Sequence, residues 1–256
     1  MIDKKIHQIW IQGESFLPEI ERKYAKMWKD LSIKGGYTYK IWSEQDYYPL
    51  IIENDLEKEY HSLINMTQKS DIARWVILKK YGGLYADVDV EPIFKNGIPE
   101  WEKDILLMRV PIGIFSIFTF SISFIGIAAS HHFSDVIVKE MKKRINPLTP
   151  ISQQEKWWNI VTTTGVLLLR DVVNLNKWNI QYLDDPQITY NYDKSHYLSS
   201  SPSGTEYFIV HQLSNKDECN KMCVGARILS MLPSIETAMI LLAIVCIFLI
   251  LSLRMT

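Results

Sequence analysis

The sequence has little of several features that would assign its class at once. Its 28 basic and 29 acidic side chains give a net charge of −1, so no basic field favours nucleic acid as a partner. Its three cysteines, Cys219, Cys223 and Cys246, are odd in number and irregularly spaced, which predicts neither a disulfide framework nor a zinc site. No N-terminal signal segment is visible either, because the first five residues lead directly into a strand-like run.

Long uncharged runs are few, and one of them lies near the C-terminus. Thr237 to Leu253 contains no charged residue, and with Ile235 and Glu236 the segment corresponds to about 28 Å of helix, enough to cross a bilayer. We therefore expect a catalytic domain over 1–212, a linker over 213–234 and a transmembrane helix over 235–253. The alternative is a buried core helix.

This tail predicts a single-pass membrane protein with a C-terminal anchor in the Golgi, the endoplasmic reticulum or another endomembrane. Basic residues are more numerous before the tail than after it, which favours a cytosolic catalytic domain. A second apolar run, Pro111 to Ser130, carries four serines, one threonine and two glycines. It is predicted as two buried strands joined by a turn, with a second membrane span as the alternative.

The first forty residues follow the pattern strand, helix, strand. Lys5 to Ile11 is predicted as a buried strand, Pro18 opens a helix, and Tyr37 to Trp42 forms the second strand after Gly35-Gly36. One face of the helix carries Ile20, Tyr24, Trp28 and Leu31. A unit of this length predicts parallel strands and an α/β fold.

A second helix and strand follow. After Ser43 the chain is predicted to be helical as far as Asn65, and Thr67 to Tyr81 is predicted as a further helix that Gly82-Gly83 ends. Thr67 belongs to a glycosylation sequon, but it also suits the cap of this helix. Leu84 to Val90 is predicted as the next strand.

Two aspartates in that apolar strand give the strongest sign of chemistry. Asp87 and Asp89 are two residues apart, so on a strand their side chains point the same way, about 7 Å apart. A buried carboxylate is costly unless it is paired or binds a cation. Ligands of open α/β sheets bind beyond the carboxyl ends of strands, where two carboxylates suit Mn²⁺ or Mg²⁺. Asp-x-Asp alone is also common in solvated turns.

The preceding helix makes the signal more specific. Asp71 and Arg74 are three residues apart and share a helix face, either as a surface salt bridge or as a pair that faces the metal strand. The Gly82-Gly83 turn brings this helix back beside the strand. The whole string S-D-x-x-R-x6-Y-G-G-x-Y-x-D-x-D is far more specific than any part of it.

This string, in SDIARWVILKKYGGLYADVDV, resembles the DXD region of glycosyltransferase family 32. That family includes inositol-phosphoceramide mannosyltransferases and initiating α-1,6-mannosyltransferases, and it is more distantly similar to the large clostridial glucosylating toxins. The first strand, in KIHQIWIQG, resembles the same families, as do Gly165 and His211 at two later positions. The resemblance implies a GT-A fold, Rossmann-like with a mostly parallel sheet, and transfer with retention.

The resemblance also implies roles for individual residues. Trp10 would stack on the nucleotide base, and Asp71 and Arg74 would hold the donor sugar. Tyr85 would belong to the same donor site. Asp87 would contact ribose, sugar and metal, Asp89 would bind the metal, typically Mn²⁺, and His211 would lie near the metal or the diphosphate. The expected catalytic residues are Asp71, Arg74 and Asp87.

The expected function is therefore metal-dependent transfer of a hexose, with mannose favoured. The donor would be GDP-mannose or a UDP-hexose, and the acceptor a lipid or a glycan. One departure from the family is the lack of a Ser-Trp pair after His211, where residues 213–217 read LSNKD. The alternatives are a catalytically silent nucleotide-sugar-binding or assembly protein on this fold, and a metal-dependent phosphohydrolase.

Overall fold

The computed structural model describes residues 1–92, 94, 97–112, 117–154, 156–183, 188–191 and 209–212. By its internal contacts the chain divides into two units. The first contains 1–110 and 119–214. The second contains 111–118 and 215–256, of which only 111–112 and 117–118 are described, as ends of strands.

The described residues form nine strands and eight α-helices. The strands are β1 (Lys5–Ile9), β2 (Thr38–Trp42), β3 (Gly83–Ala86), β4 (Val90–Pro92), β5 (Ile105–Ile112), β6 (Ile117–Ile127), β7 (Ile180–Leu183), β8 (Ile188–Asn191) and β9 (Ile209–Gln212). The helices are α1 (Glu19–Gly35), α2 (Glu44–Glu53), α3 (Glu57–Ser62), α4 (Met66–Tyr81), α5 (His132–Arg144), α6 (Ile151–Gln154), α7 (Trp157–Thr163) and α8 (Val166–Leu175).

The strands form two sheets. The larger has the order β2-β1-β3-β6-β5-β7, and the smaller has the order β4-β9-β8. Strand β1 is parallel to β2 and β3, β5 is parallel to β7, and β8 is parallel to β9, whereas β3–β6 and β4–β9 are antiparallel. The prediction of an α/β fold with a mostly parallel sheet is confirmed.

The first strand–helix–strand unit also forms as predicted. Strands β1 and β2 pair in parallel from Lys5 with Thr38 to Ile9 with Trp42. Pro18 occupies the N-cap position of α1, and Gly36 closes the helix in a left-handed conformation with φ 69°. A side chain would be strained at that φ, which is why glycine ends this helix.

The predicted helix from Ser43 to Asn65 is two helices. Ser43 and Asp46 cap α2 reciprocally, as in a capping box. The chain then breaks before α3, where Asp55 takes the left-handed conformation with φ 55°. Because a single left-handed residue interrupts the helical hydrogen bonds, the two helices are separate.

Helix α4 forms as predicted, but Asn65 caps it rather than Thr67. The Asn65 side chain accepts a hydrogen bond from the Thr67 backbone N–H. Residues 71–78 are all buried, so this helix packs on every side along two turns. Its central position in the core makes it a rigid support for any polar side chain it carries.

The predicted strand from Leu84 to Val90 ends early, at Ala86, which corrects the sequence reading. Asp87 leaves the strand, and the Val90 N–H donates to the Asp87 carbonyl at 3.0 Å, which closes a turn. Val90 then begins β4, which belongs to the smaller sheet. Asp87 and Asp89 therefore lie in a turn at the carboxyl end of β3, not along one strand face.

Two strands occupy most of the second apolar run. Strand β5 ends at Ile112 and β6 begins at Ile117, as neighbours in the larger sheet. The two-strand interpretation is confirmed in part, because β6 lies within the run whereas β5 lies mostly before Pro111, and the described residues from 111 to 127 are strand rather than helix. Within the described residues no helix is long and apolar enough to span a membrane. The predicted linker 213–234 and helix 235–253 lie outside the described residues.

Candidate active site

The Asp-x-Asp turn lies where two parallel strands end. Strand β1 ends at Ile9 and the neighbouring β3 ends at Ala86, so Trp10 and Asp87 follow them at the same edge of the sheet. The Asp87 N–H donates to the Ser123 carbonyl of β6 at 2.8 Å. This edge is where ligands of open α/β sheets bind.

Gln8 of β1 also holds the turn. Its side-chain Nε2 donates to the Asp87 carbonyl at 3.2 Å, and its Oε1 accepts from the Tyr39 hydroxyl at 2.5 Å. Gln8 is fully buried. The sequence reasoning did not single out this residue, although it lies within the KIHQIW string that carries the resemblance.

Arg74 lies between the two carboxylates. Its Nη2 is 2.8 Å from Asp71 Oδ1, and its Nη1 is 3.2 Å from Asp87 Oδ1. The same Nη1 donates to the Ile122 carbonyl at 2.5 Å. Arg74 is only 3% exposed, so the surface salt bridge considered for Asp71 and Arg74 is excluded. The pair faces the Asp-x-Asp turn.

Tyr85 completes the contact with Asp87. Its hydroxyl donates to Asp87 Oδ1 at 2.6 Å, and the Arg74 guanidinium lies 4.6 Å from the centre of its ring. Burial raises the pKa of Tyr85 well above its ordinary value, so the phenol keeps its proton and remains a donor. Tyr85 and Arg74 together fix the orientation of the Asp87 carboxylate.

Thr164 holds the other carboxylate, and the sequence reasoning did not identify it. Its hydroxyl donates to Asp71 Oδ2 at 2.8 Å across 93 residues of chain. Asp71 is fully buried, and burial raises its pKa from 3.8 to about 6, while Arg74 and the Thr164 hydrogen bond act in the opposite direction. The only signal for Thr164 in the sequence is its place directly before Gly165.

Gly165 allows Thr164 to approach. A Cβ added at Gly165 would lie 2.9 Å from the Val161 Cα, closer than a side chain tolerates. The glycine therefore lets the start of α8 pack closely against the end of α7. This gives the weak resemblance at Gly165 a physical reason.

The structure places the remaining predicted site residues as follows. The Trp10 indole Nε1 is buried and has no acceptor among the described residues. Strand β9 pairs with β4 so that His211 lies opposite Val90, the residue after Asp89. The backbone of His211 is thus next to the Asp-x-Asp turn, and its side chain lies outside the described part.

The other histidines have structural contacts. His7 lies in β1, where its Nε2 meets the Gly82 carbonyl at 2.9 Å and its Nδ1 accepts from Trp42. Burial lowers the pKa of His7 to about 4, so it is neutral. His131 caps α5 by accepting from the Phe133 N–H. Both side chains therefore have structural roles.

The residues at the turn fit a divalent cation in one particular way. No cluster of three or more His, Cys, Asp or Glu side chains that could hold a metal occurs among the described residues. Asp87 and Asp89 supply hard carboxylate oxygens. Mg²⁺ commonly binds through one or two carboxylates and substrate phosphates. The turn therefore suits a cation whose other ligands come from a diphosphate and water.

This fold is GT-A-like, the fold of known glycosyltransferases. Residues 18–104 match the family described as "Glycosyltransferase sugar-binding region containing DXD motif". The DXD region of this chain thus matches DXD-containing glycosyltransferases of the family 32 type, which is the resemblance that the sequence predicted.

Two relatives extend the similarity beyond the DXD region. An uncharacterised glycosyltransferase of Acanthamoeba polyphaga mimivirus is 30% identical over 185 residues, which cover 68% of this chain and 65% of the relative. Inositol phosphoceramide mannosyltransferase 3 of Schizosaccharomyces pombe is 25% identical over 236 residues, which cover 82% of this chain and 59% of the relative. The chain thus spans less than two thirds of either relative.

Solved structures support the fold. PaToxG glycosyltransferase is 19% identical with a TM-score of 0.51, over 68% of this chain and 69% of that one. A glycosyltransferase involved in glycosylation of the major capsid of PBCV-1 is 13% identical with a TM-score of 0.50, over 86% and 98%. The UDP-bound glycosyltransferase domain of the YGT toxin is 10% identical with a TM-score of 0.50, over 71% and 79%.

Proposed function

We propose that this protein is a metal-dependent glycosyltransferase that transfers a hexose, with retention, from a nucleotide sugar to a lipid or glycan acceptor. The observation that carries the proposal is the buried Arg74 between Asp71 and Asp87 at the carboxyl edge of the sheet. A buried, fixed cation beside a carboxylate turn is suited to a ligand that is itself charged.

The charge of a nucleotide-sugar donor fits this site. Breaking the sugar–phosphate bond leaves negative charge on the diphosphate, and fixed positive groups stabilise that charge as it develops. The cation at Asp87 and Asp89, Mn²⁺ or Mg²⁺, would act as a Lewis acid on the diphosphate. Asp71, fixed by Thr164 and Arg74, would accept hydroxyls of the donor sugar, and Trp10 would stack on the base.

The names of the relatives bear on the identity of the donor and of the acceptor. The name of the fission-yeast relative favours mannose, hence GDP-mannose, whereas a neighbour in fold was solved with UDP bound. The same relative favours a lipid acceptor. A C-terminal anchor over 235–253 would hold the domain, residues 1–212, at an endomembrane of the Golgi or endoplasmic reticulum, close to such an acceptor.

A second candidate is a catalytically silent protein that binds nucleotide sugars. The sequence after His211 favours it, because residues 213–217 lack the Ser-Trp pair that would close over the diphosphate. Such a protein would bind the donor without turnover.

The decisive experiment is an assay of hydrolysis and transfer with a panel of UDP- and GDP-sugars, with Mn²⁺, Mg²⁺ or a chelator. We expect turnover of one donor, loss of turnover in chelator, and a product of retained configuration by NMR.

Asp89→Asn should reduce turnover by roughly 100-fold or more, because a fixed electrostatic contact is lost. Asp30→Asn, at an exposed pair with Lys26, is the matched control. Undiminished turnover in chelator would refute metal dependence, and binding without turnover would favour the silent protein.

A further inference from the structure

A small cleft with both polar and apolar lining residues lies beside the candidate active site. It is formed by the start of α4 and by the segment from Ile145 to Thr163. The C-terminal end of helix α4 lies next to the start of β3. Nearer its N-terminus, Asp71 contacts Arg74, which in turn contacts Asp87 at the end of β3. Helix and strand therefore run in opposite directions. The start of α4, with the cleft, is at the ligand-binding edge of the sheet.

The chemistry of the cleft suits hydroxyl groups. Its polar lining consists of neutral amides and hydroxyls, from Gln68, Asn146, Thr149, Gln154, Asn159 and Thr163. Amide and hydroxyl groups both donate and accept hydrogen bonds, as sugar hydroxyls do. A phosphate or a cation would instead need opposite charge, which the described lining residues do not supply.

One buried group in the cleft is left without a partner. Gln68 is fully buried, and its Nε2 donates to Thr163 Oγ1 at 2.8 Å and to Asn159 Oδ1 at 3.2 Å. Its Oε1 has no hydrogen-bond donor among the described residues. An unsatisfied buried acceptor costs about 1–3 kcal/mol, so this oxygen favours a ligand or a water that donates to it.

The size of the cleft limits what can enter. It leaves about 10 Å³ for the centre of a water-sized group, which is the room that one water needs. A hydroxyl or a hydroxymethyl group is of that size, and a whole sugar ring is not. A ligand would therefore place one hydroxyl in the cleft while the rest of it lies outside.

Two neighbouring hydrogen bonds between α4 and residues 163–164 connect the cleft to the donor site. Gln68 and Asp71 lie one turn apart on α4, and their partners are the consecutive residues Thr163 and Thr164. Residues three apart on a helix are neighbours on its surface. A hydroxyl bound at Gln68 would thus belong to a molecule directly beside the donor sugar, where an acceptor must lie.

We propose that this cleft binds one hydroxyl group of a polyhydroxylated acceptor, a sugar or a cyclic polyol, through Gln68 Oε1. This molecule is called the acceptor because the inference rests on the proposed transferase function. The binding itself is measurable without turnover.

The experiment measures binding of two probes to the full chain by ligand-observed NMR. Methyl α-mannoside represents the end of a glycan, and myo-inositol represents a polyol head group. Gln68→Met keeps the shape of the side chain and removes the oxygen, so binding of the recognised probe should weaken about tenfold, the loss of one hydrogen bond to a buried partner. The deoxy analogue that lacks the bound hydroxyl should bind equally to wild type and variant.

The chain supplies a matched control in its run of three threonines. Thr163→Val removes a hydroxyl from the cleft and should also weaken binding. Thr162→Val makes the same change one residue earlier, where the hydroxyl only donates to carbonyls of its own helix. If Gln68→Met does not fold, Asn159→Ala on the facing wall replaces it. Binding of neither probe, or equal binding to wild type and folded cleft variants, would show that the cleft holds only water. If the cleft variants lose binding but the wild-type protein shows no turnover, only the proposed transferase function is refuted.

Discussion

Arg74 is the residue on which the candidate site depends. Burial by itself would lower the pKa of its guanidinium, but Asp87, Tyr85, Asp71 and Asp89 raise it above the ordinary value. Arg74 is therefore charged at every physiological pH. Its planar fork reaches Asp71 with one nitrogen and Asp87 with the other, so geometry matters as well as charge.

Arg74→Lys tests this geometry. Lysine keeps the positive charge but has a single ammonium, which cannot reach both carboxylates at once. We expect turnover to fall by roughly 100-fold, as for loss of a preorganised electrostatic contact. Steady-state kinetics with thermal unfolding measures it, and Arg22→Lys, whose guanidinium donates to the Leu17 carbonyl, is the control. Full activity of the Arg74→Lys protein would show that Arg74 contributes charge alone.

Asp71 predicts a pH dependence whose sign follows from its burial. Its pKa is about 6 in the folded chain and 3.8 ordinarily, so the folded state binds the proton more tightly. The free energy of unfolding should therefore fall as pH rises from about 4 to about 6. If Asp71 acts as a carboxylate, activity should decline as pH falls through about 6. Stability and activity would thus change in opposite directions over this range.

Thr164→Val separates these effects. The Thr164 hydroxyl lowers the pKa of Asp71, so its loss should move the acid limb of the pH–activity profile to higher pH. A hydrogen bond worth about 1 kcal/mol corresponds to a shift of about 0.7 unit. Thr162→Val should leave the profile unchanged, and Thr164→Ser should restore it. An unshifted profile in a folded Thr164→Val protein would mean that Asp71 does not control that limb.

Trp10→Ala tests the expected stacking on the nucleotide base. Trp10 follows β1 at the ligand-binding edge, which is where the proposed stacking on the base requires it. Loss of a stacking contact worth about 1–3 kcal/mol should raise the donor KM by roughly 5- to 100-fold and change kcat less. Trp158→Ala, at a half-exposed helix position, is a comparison variant. An unchanged donor KM would make Trp10 a packing residue.

At the scale of elements, the turn between α4 and β3 decides the site. Gly83 has φ 98°, and a Cβ there would lie 2.6 Å from the Lys5 carbonyl oxygen of β1. Glycine thus lets β3 lie against β1 and brings α4 back over the sheet. The distance between Asp71 and Asp87 depends on this return.

Gly83→Ala should be strongly destabilising. The substitution combines a positive φ with a backbone clash, and each such strain costs about 1–3 kcal/mol. Gly36→Ala is the matched control, since φ is 69° but nothing lies within 4 Å of the added Cβ. Chemical denaturation should show a larger loss for Gly83→Ala than for Gly36→Ala. Equal losses would mean that φ alone is responsible and that β1 adapts.

At the scale of the whole molecule, membrane attachment is the prediction to test. Residues 235–253 are expected to anchor the chain, because their apolar length matches a bilayer. After a carbonate wash the full chain should remain in the membrane pellet, whereas a chain that ends at Ser234 should be in the supernatant and still bind its donor. Release of the full chain would refute the anchor. A shorter chain that also pellets would place the attachment elsewhere.

Local patterns were enough to predict much of this protein. Strand β1, helix α1 and strand β2 follow from apolar periodicity and from the glycines and proline at their ends. Helix α4 and its end at Gly82 follow in the same way. The spacing of Asp71, Arg74, Asp87 and Asp89, with the family resemblance that adds Tyr85, was sufficient to propose one site. The structure joins Asp71, Arg74, Asp87 and Tyr85 through direct contacts. The catalytic roles of these residues stay predictions.

Only the tertiary structure decided the features that depend on distant parts of the chain. Val88 and Val90 continue the apolar alternation of β3, so the sequence offers no reason to end that strand at Ala86. The strand ends because the Val90 N–H turns back to the Asp87 carbonyl and Val90 pairs with the distant β9. Thr164 likewise meets Asp71 only because two helices pack together. Sequence patterns report the periodicity of one segment, whereas a turn fixed by other strands and a hydrogen bond across 93 residues exist only once those segments have come together.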